Sequence, residues 1–274
     1  MAKSYGFCFG VKRAIKIAES AGEAATIGEL IHNAEEINRL KQNFGVKTLE
    51  GVSEITDEQK LIIRTHGIQK DDLQRLKAQN KELIDATCPF VTKPQQIVEK
   101  MSAEGYDIVI FGDKNHPEVK GVKSYAKGRV CVVLEPAELL QIKLGPRVAL
   151  VSQTTKKIES FTKIADFLMQ RARELRIFNT ICNATLENQE AVKSLSQKAD
   201  VMIIVGGKNS SNTKQLFLIS QNFCKDSYLI ENESELERSW FENKSLCGIS
   251  AGASTPDWII KKVVARIENL TQNL

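Results

Sequence analysis

Short apolar runs alternate with helix-period segments along the chain. Residues 61–64 (LIIR), 106–111 (YDIVIF), 129–134 (RVCVVL), 147–152 (RVALVS), 201–205 (VMIIV), 227–230 (SYLI) and 246–250 (LCGIS) read as strands. Between them, 69–80, 91–104, 156–175, 187–198 and 212–223 carry apolar positions at helical spacing. Strands alternating with helices predict parallel or mixed sheets covered by helices, an α/β fold. No low-complexity segment or long linker interrupts the alternation.

One local pattern occurs three times. Cys8 lies in GFCFGVKRAIKIAE, Cys88 in DATCPFVTKPQQIVE and Cys182 in TICNATLENQEAV, each just before a helix-like stretch. Val11, Val91 and Thr185 stand three positions after the cysteines. Ile17 and Ala18, Ile97 and Val98, and Ala191 and Val192 stand nine and ten after. The repeat divides the chain into units of roughly 1–88, 89–179 and 180–274, each able to hold a modest core. A helix N-terminus favours thiolate. Three thiolates aimed at one point are suited to an iron–sulfur cluster that keeps one iron open for a substrate. A small buried hydrophobe is the competing reading of any lone cysteine. Cys131 and Cys247 inside strand-like runs, and Cys224 near a helix end, read as structural. No C-x-x-C pair occurs, which excludes a zinc ribbon or a ferredoxin-type run.

Composition narrows the partners. Over 274 residues, 42% are hydrophobic and 26% charged, as in ordinary globular proteins, and the net charge is +4. That mild excess falls short of a nucleic-acid-binding stripe and suits an anionic small substrate or an acidic protein partner. No apolar run approaches the ~20 residues that span a bilayer, and MAKSYGFCFG lacks a signal-like apolar core. The expectation is a cytoplasmic protein with no membrane and no nucleic-acid partner. Six scattered cysteines do not form a secreted disulfide framework.

The three histidines, His32, His66 and His116, all follow strand-like runs, where α/β sheets bind ligands. VMIIVGGKNSSNT places Ser210, Ser211 and Asn212 at a helix start that favours anions, although N-capping uses the same residues. In GISAGASTPDWII, Pro256 fits the first helical position with Thr255 or Ser254 as cap, leaving Ser254 room to face a ligand. Gln153 and Thr154 sit just past a strand end. Glu118, two residues after His116, is a candidate general acid beside the alternative of a solvated loop glutamate. No turn holds the G-x-x-x-x-G-K-[ST] pattern of a P-loop.

In chain order, GFCFGVKRA, GELIHN, IRTHGI, DATCPFV, HPEVKG, SQTT, TICNAT, KNSSNT and SAGASTPDWII span nearly the whole sequence. With these stretches the chain closely resembles the 4-hydroxy-3-methylbut-2-enyl diphosphate reductase family, whose reaction ends the non-mevalonate isoprenoid pathway. The resemblance implies three similar α/β units in a pseudo-threefold arrangement around a [4Fe-4S] cluster held by Cys8, Cys88 and Cys182, with one iron lacking a protein ligand. It implies that His32, His66, His116, Ser210, Ser211, Asn212 and Ser254 bind the diphosphate. Thr154 would sit near the substrate hydroxyl, and Glu118 would supply protons through it. Two electrons from a donor such as ferredoxin or flavodoxin would yield isopentenyl and dimethylallyl diphosphate. Two departures stand out. Only seven residues precede Cys8, so the family's first strand is expected to be short or absent, and Asn188 replaces an arginine common in relatives. The competing functions are a non-redox, cluster-dependent dehydratase, a non-enzymatic iron–sulfur sensor binding phosphorylated metabolites, and a three-thiolate zinc site.

Overall fold

The structure is a computed structural model that describes residues 1–79 and 81–272. The last position of the 69–80 helix expectation lies outside the described residues. In chain order the elements begin with α1 (Phe9–Ala21), β1 (Ala24–Ile27), α2 (Ala34–Phe44), β2 (Val46–Leu49), β3 (Lys60–Ile63), α3 (Lys70–Lys77) and β4 (Glu82–Asp85). Then come α4 (Pro89–Ala103), β5 (Asp107–Phe111), α5 (Pro117–Lys123), β6 (Val130–Val133), β7 (Arg147–Ser152), α6 (Ile158–Met169) and β8 (Glu174–Ile177). The chain continues through α7 (Asn183–Ser196), β9 (Val201–Val205), α8 (Ser211–Gln221), β10 (Ser227–Ile230), β11 (Cys247–Ala251) and α9 (Asp257–Thr271).

The strands form three parallel sheets, ordered β2-β1-β3-β4, β6-β5-β7-β8 and β10-β9-β11. The first two sheets share one topology. The third has the same order without its fourth strand. That place beside β11 is taken by the chain start: the amides of Ala2 and Gly6 donate to the carbonyls of Ile249 and Ala251 at 2.8 and 3.1 Å. Residues 1–8 form no regular strand there.

Parallel strands covered on both faces become continuous apolar runs, and every residue of β9 is buried. The described residues group into two compact bodies. The first holds Met1–Lys12, His32–Asn38 and the chain from Asn183 onward, and contains the third sheet. The second holds Arg13–Ile31 and Arg39–Cys182, and contains the other two sheets.

In the second body, α4 packs on the second sheet through Val98 and Met101 against Ile108, Ile110 and Val151. In the first, Val192 of α7 packs with Met202, Ile204 and Leu216. Ala18, Val98 and Val192 are fully buried, and Val11, Val91 and Thr185 nearly so. The positions that repeat after each cysteine are therefore the core-facing side of α1, α4 and α7.

Three expectations change. The segment 156–175 is not one helix: α6 ends at Met169, and Glu174–Ile177 is the edge strand β8, mostly exposed and too polar to read as a strand. The strands β1, β2 and β4 and the seven-residue α5 add to the elements read from the sequence. Pro256 flanks α9 in extended conformation, and the helix begins at Asp257. Neither nearby hydroxyl caps it: Thr255 Oγ1 donates to the Val205 carbonyl and Ser254 Oγ to the His32 carbonyl.

Candidate active site at the strand ends

The polar chemistry follows the strand ends in a repeated order. Each cysteine amide is bonded to a carbonyl two residues beyond a third strand: Cys88 to Thr65 after β3 at 3.0 Å, Cys182 to Thr154 after β7 at 3.0 Å, Cys8 to Ala253 after β11 at 3.2 Å. His32, His116 and the Ser210–Asn212 turn follow β1, β5 and β9; His66, Thr154 and Ser254 follow β3, β7 and β11. The carboxyl ends of parallel strands are where such sheets bind ligands.

Cys8, Cys88 and Cys182 are partly exposed, take part in no disulfide among the described residues, and directly precede α1, α4 and α7. Cys88 caps α4 with Pro89 in its first turn. The other cysteines differ. Burial pushes the Cys131 and Cys247 thiols up to about 11, and it raises that of Cys224. These three stay protonated and apolar in character.

Within the second body, the β5–α5 and β7–α6 loops meet. Glu118 is 1% exposed, in the first turn of α5. Its carboxylate accepts from the Thr154 amide at 2.7 Å and from the Thr154 hydroxyl at 2.7 Å. Burial raises its pKa above the ordinary carboxylate range, opposed by the two Thr154 bonds and by the charge of Lys156. Lys156 is half-buried, and burial lowers its pKa against the attraction of Asp113 and Glu118. Glu118 is thus not a solvated loop residue but a buried acid with one exit, the Thr154 hydroxyl.

Gln153 holds these loops together. It accepts from the Asp113 amide at 3.0 Å and donates to Thr155 Oγ1 at 3.1 Å. The close approach needs Gly112, where a Cβ would lie 2.9 Å from Val119 and 3.0 Å from Gln153. Gly112→Ala is expected to cost about 1–3 kcal/mol by overpacking and to lower activity by displacing Glu118 from Thr154. Thermal unfolding and turnover of the variant check both. The sequence contained no sign of the Gln153 bridge or of Lys156, because each depends on two loops distant along the chain.

His116 caps α5, its Nδ1 accepting from the Glu118 amide at 3.2 Å, so the ring is left to donate through Nε2. The His66 and His116 rings meet edge to face, centroids 5.4 Å apart. Thr65 Oγ1 donates to the Leu30 carbonyl at 2.8 Å and lies 3.4 Å from His66 Nδ1. The amide of Lys70 donates to Ser124 Oγ at 2.9 Å, linking the segment after His66 to the end of α5.

In the first body, Ser210 caps α8, its Oγ accepting from the Thr213 amide at 3.3 Å. Ser211 is half-buried in the first turn of α8. Asn212 is 4% exposed, yet neither Oδ1 nor Nδ2 has a hydrogen-bond partner among the described residues. A buried amide without partners costs free energy that a polar ligand would recover. Ser254 Oγ binds the His32 carbonyl at 3.1 Å. Gly207 is required there too, since a Cβ would stand 2.5 Å from that carbonyl oxygen. Asn188 is buried, and its Oδ1 accepts from Ser4 Oγ at 2.6 Å.

A parallel α/β scaffold with cysteines, histidines and a buried acid at its strand ends defines an α/β enzyme. The model of the LytB protein family matches residues 1–268. The chain is 75% identical over 270 residues to a protein of Campylobacter hominis, covering 98% of each. It is 73% identical over 270 residues to one of Campylobacter concisus, again covering 98% of each. Both relatives are named 4-hydroxy-3-methylbut-2-enyl diphosphate reductase. A solved structure of (E)-4-hydroxy-3-methyl-but-2-enyl diphosphate reductase, called the terminal enzyme of the non-mevalonate pathway, is 43% identical with TM-score 0.73 and covers 98% of each chain. The E-1-hydroxy-2-methyl-but-2-enyl-4-diphosphate reductase of Plasmodium falciparum is 28% identical with TM-score 0.91, covering 99% of this chain and 88% of its own. The chain belongs to the LytB family, and it is an oxidoreductase. No helix among the described residues is long and apolar enough to cross a membrane.

Proposed function

We propose that the protein reduces (E)-4-hydroxy-3-methylbut-2-enyl diphosphate to isopentenyl and dimethylallyl diphosphate. Two electrons and two protons enter, the allylic C–O bond breaks, and water leaves. The observation that carries this reading is the buried Glu118–Thr154 pair, a carboxyl whose pKa burial raises, bonded to a hydroxyl able to relay a proton. The names of the relatives supply the substrate.

The residues present fit an iron–sulfur cluster. Three partly exposed cysteines directly precede helices, and burial raises the thiol pKa of the remaining three. Cys8, Cys88 and Cys182 would hold a [4Fe-4S] cluster. When bound, the cluster supplies electrons one at a time and an iron without a protein ligand.

The protein's own groups do the rest. His32, His66, His116, Ser210, Ser211, Asn212 and Ser254 bind the diphosphate, the buried Asn212 amide offering a donor that has no partner among the described residues. Anchoring the diphosphate orients the allylic alcohol without asking binding energy of the reacting carbon. Burial raises the Glu118 pKa and so favours its protonated form. Thr154 passes that proton to the departing hydroxyl and is reprotonated from Glu118 across 2.7 Å. The packed loops keep bulk water from competing with this relay.

The test is anaerobic turnover of the hydroxylated diphosphate by the cluster-loaded protein, with reduced ferredoxin, flavodoxin or viologen as donor. Formation of both isomeric diphosphates is expected. Loaded protein that makes neither product, or that dehydrates substrate with no donor present, overturns the reading.

A further inference from the structure

The second body carries a basic surface beside Cys88 that the reaction at the strand ends does not use. Arg13 of α1 donates from Nη1 to the Thr87 carbonyl at 3.1 Å and from Nη2 to the Asp85 carbonyl at 3.2 Å. These bonds bring α1 alongside the turn that leads into Cys88. A shallow groove of about 630 Å³ opens there, lined by Arg13, Asp85, Thr87, Pro89, Lys93 and Gln96 among others. Lys16 stands one turn beyond Arg13 on α1, and Lys93 and Lys100 follow Phe90 at helical spacing on α4. All three lysines are exposed, and none has a salt bridge among the described residues. Asp85 is the opposing charge in the groove lining, and its Oδ1 already accepts from the Thr87 amide at 2.8 Å. Phe90, two residues from Cys88 in the first turn of α4, is 42% exposed.

We propose that this face docks a small acidic one-electron carrier protein, with Phe90 as its apolar centre and Lys16, Lys93 and Lys100 as its charged rim. The proposal rests on the reductase reading, in which Cys88 is a cluster ligand. A carrier must come close to that ligand, and this surface reaches the solvent two residues from it. A small anion would have no use for an exposed phenyl ring. A transient protein partner uses both elements, an apolar centre and a charged rim that steers encounter. Redox encounters are among the smallest protein interfaces, below about 1,200 Å², so two helix faces suffice.

The experiment uses the full-length, cluster-loaded enzyme in two variants: Lys16→Glu/Lys93→Glu/Lys100→Glu, and separately Phe90→Ala. Affinity for purified flavodoxin and for a [2Fe–2S] ferredoxin is measured by calorimetry at low salt, beside turnover driven by reduced methyl viologen. The charge reversal is expected to weaken binding of the preferred carrier at least about tenfold and to flatten its salt dependence. Phe90→Ala is expected to weaken binding several-fold without altering that dependence. Viologen-driven turnover should match the parent in both. Carrier affinity unchanged in both variants overturns the proposal, as does an equal loss with carrier and viologen, which would mark the residues as structural. Failure of viologen-driven turnover in the parent would instead refute the reductase reading, while the affinities still decide the docking face.

Discussion

Glu118→Gln is expected to lower turnover on the order of 10²–10⁴-fold, the usual range for losing a general acid, while the iron content and its absorption stay unchanged. The glutamine keeps the size of the side chain: its Oε1 can still accept from the Thr154 amide while its Nε2 donates to the Thr154 hydroxyl, where the carboxylate now accepts from both at 2.7 Å. What it cannot do is release a proton. The pH dependence gives a second readout. Because burial raises the Glu118 pKa, parent activity should fall as pH rises through that value and the acid loses its proton. The variant should lack this limb.

Stability runs the same way. A raised carboxyl binds a proton in the folded state that the unfolded chain has released, so it contributes stability that declines from about the ordinary value of 4.5 up to the folded pKa. The neutral glutamine has no such decline, and the variant should gain on the parent as pH rises from about 4.5 through the folded pKa. Chemical unfolding at two pH values measures it. Activity equal to the parent's across the range would remove Glu118 from the proton path.

Cys8→Ala, Cys88→Ala and Cys182→Ala, each alone, are expected to yield folded protein with little iron or sulfide and no detectable turnover. The three side chains are partly exposed, so their truncation leaves no large cavity, and circular dichroism should be unchanged. Cys131→Ser and Cys247→Ser should keep parental iron content, since burial holds both thiols at about 11, far from thiolate. Full iron in any of the first three variants would strike that residue from the ligand set. Zinc in place of iron in anaerobically prepared parent protein would replace the cluster with a three-thiolate metal site.

Much of the fold was legible because its core strands are long, apolar runs. Residues 201–205 and 147–152 are read from sequence as the structure has them, since buried parallel strands leave no polar alternation to confuse them. The edge strand β8 was hidden because Glu174–Ile177 is polar and exposed and continues the helical spacing of α6. The cysteine repeat was visible as spacing, and the fold supplies its cause: the buried faces of α1, α4 and α7. The hydroxyls of Ser254 and Thr255 looked like caps, as their chemistry allows, but tertiary carbonyls claimed them.

The sequence by itself determined the α/β class, the alternation of strand and helix, and the residue types at each strand exit, because periodicity and composition are local properties. It also carried the motifs that place the chain in the LytB family. Tertiary structure alone decided that residues 2–8 run beside β11, since these backbone hydrogen bonds need no side-chain pattern. It alone turned Glu118 from a loop carboxylate into a buried acid, because its environment is made by Thr154, thirty-six positions away in the chain. The burial that raises its pKa comes from the packing of two loops, and no spacing along the chain encodes it.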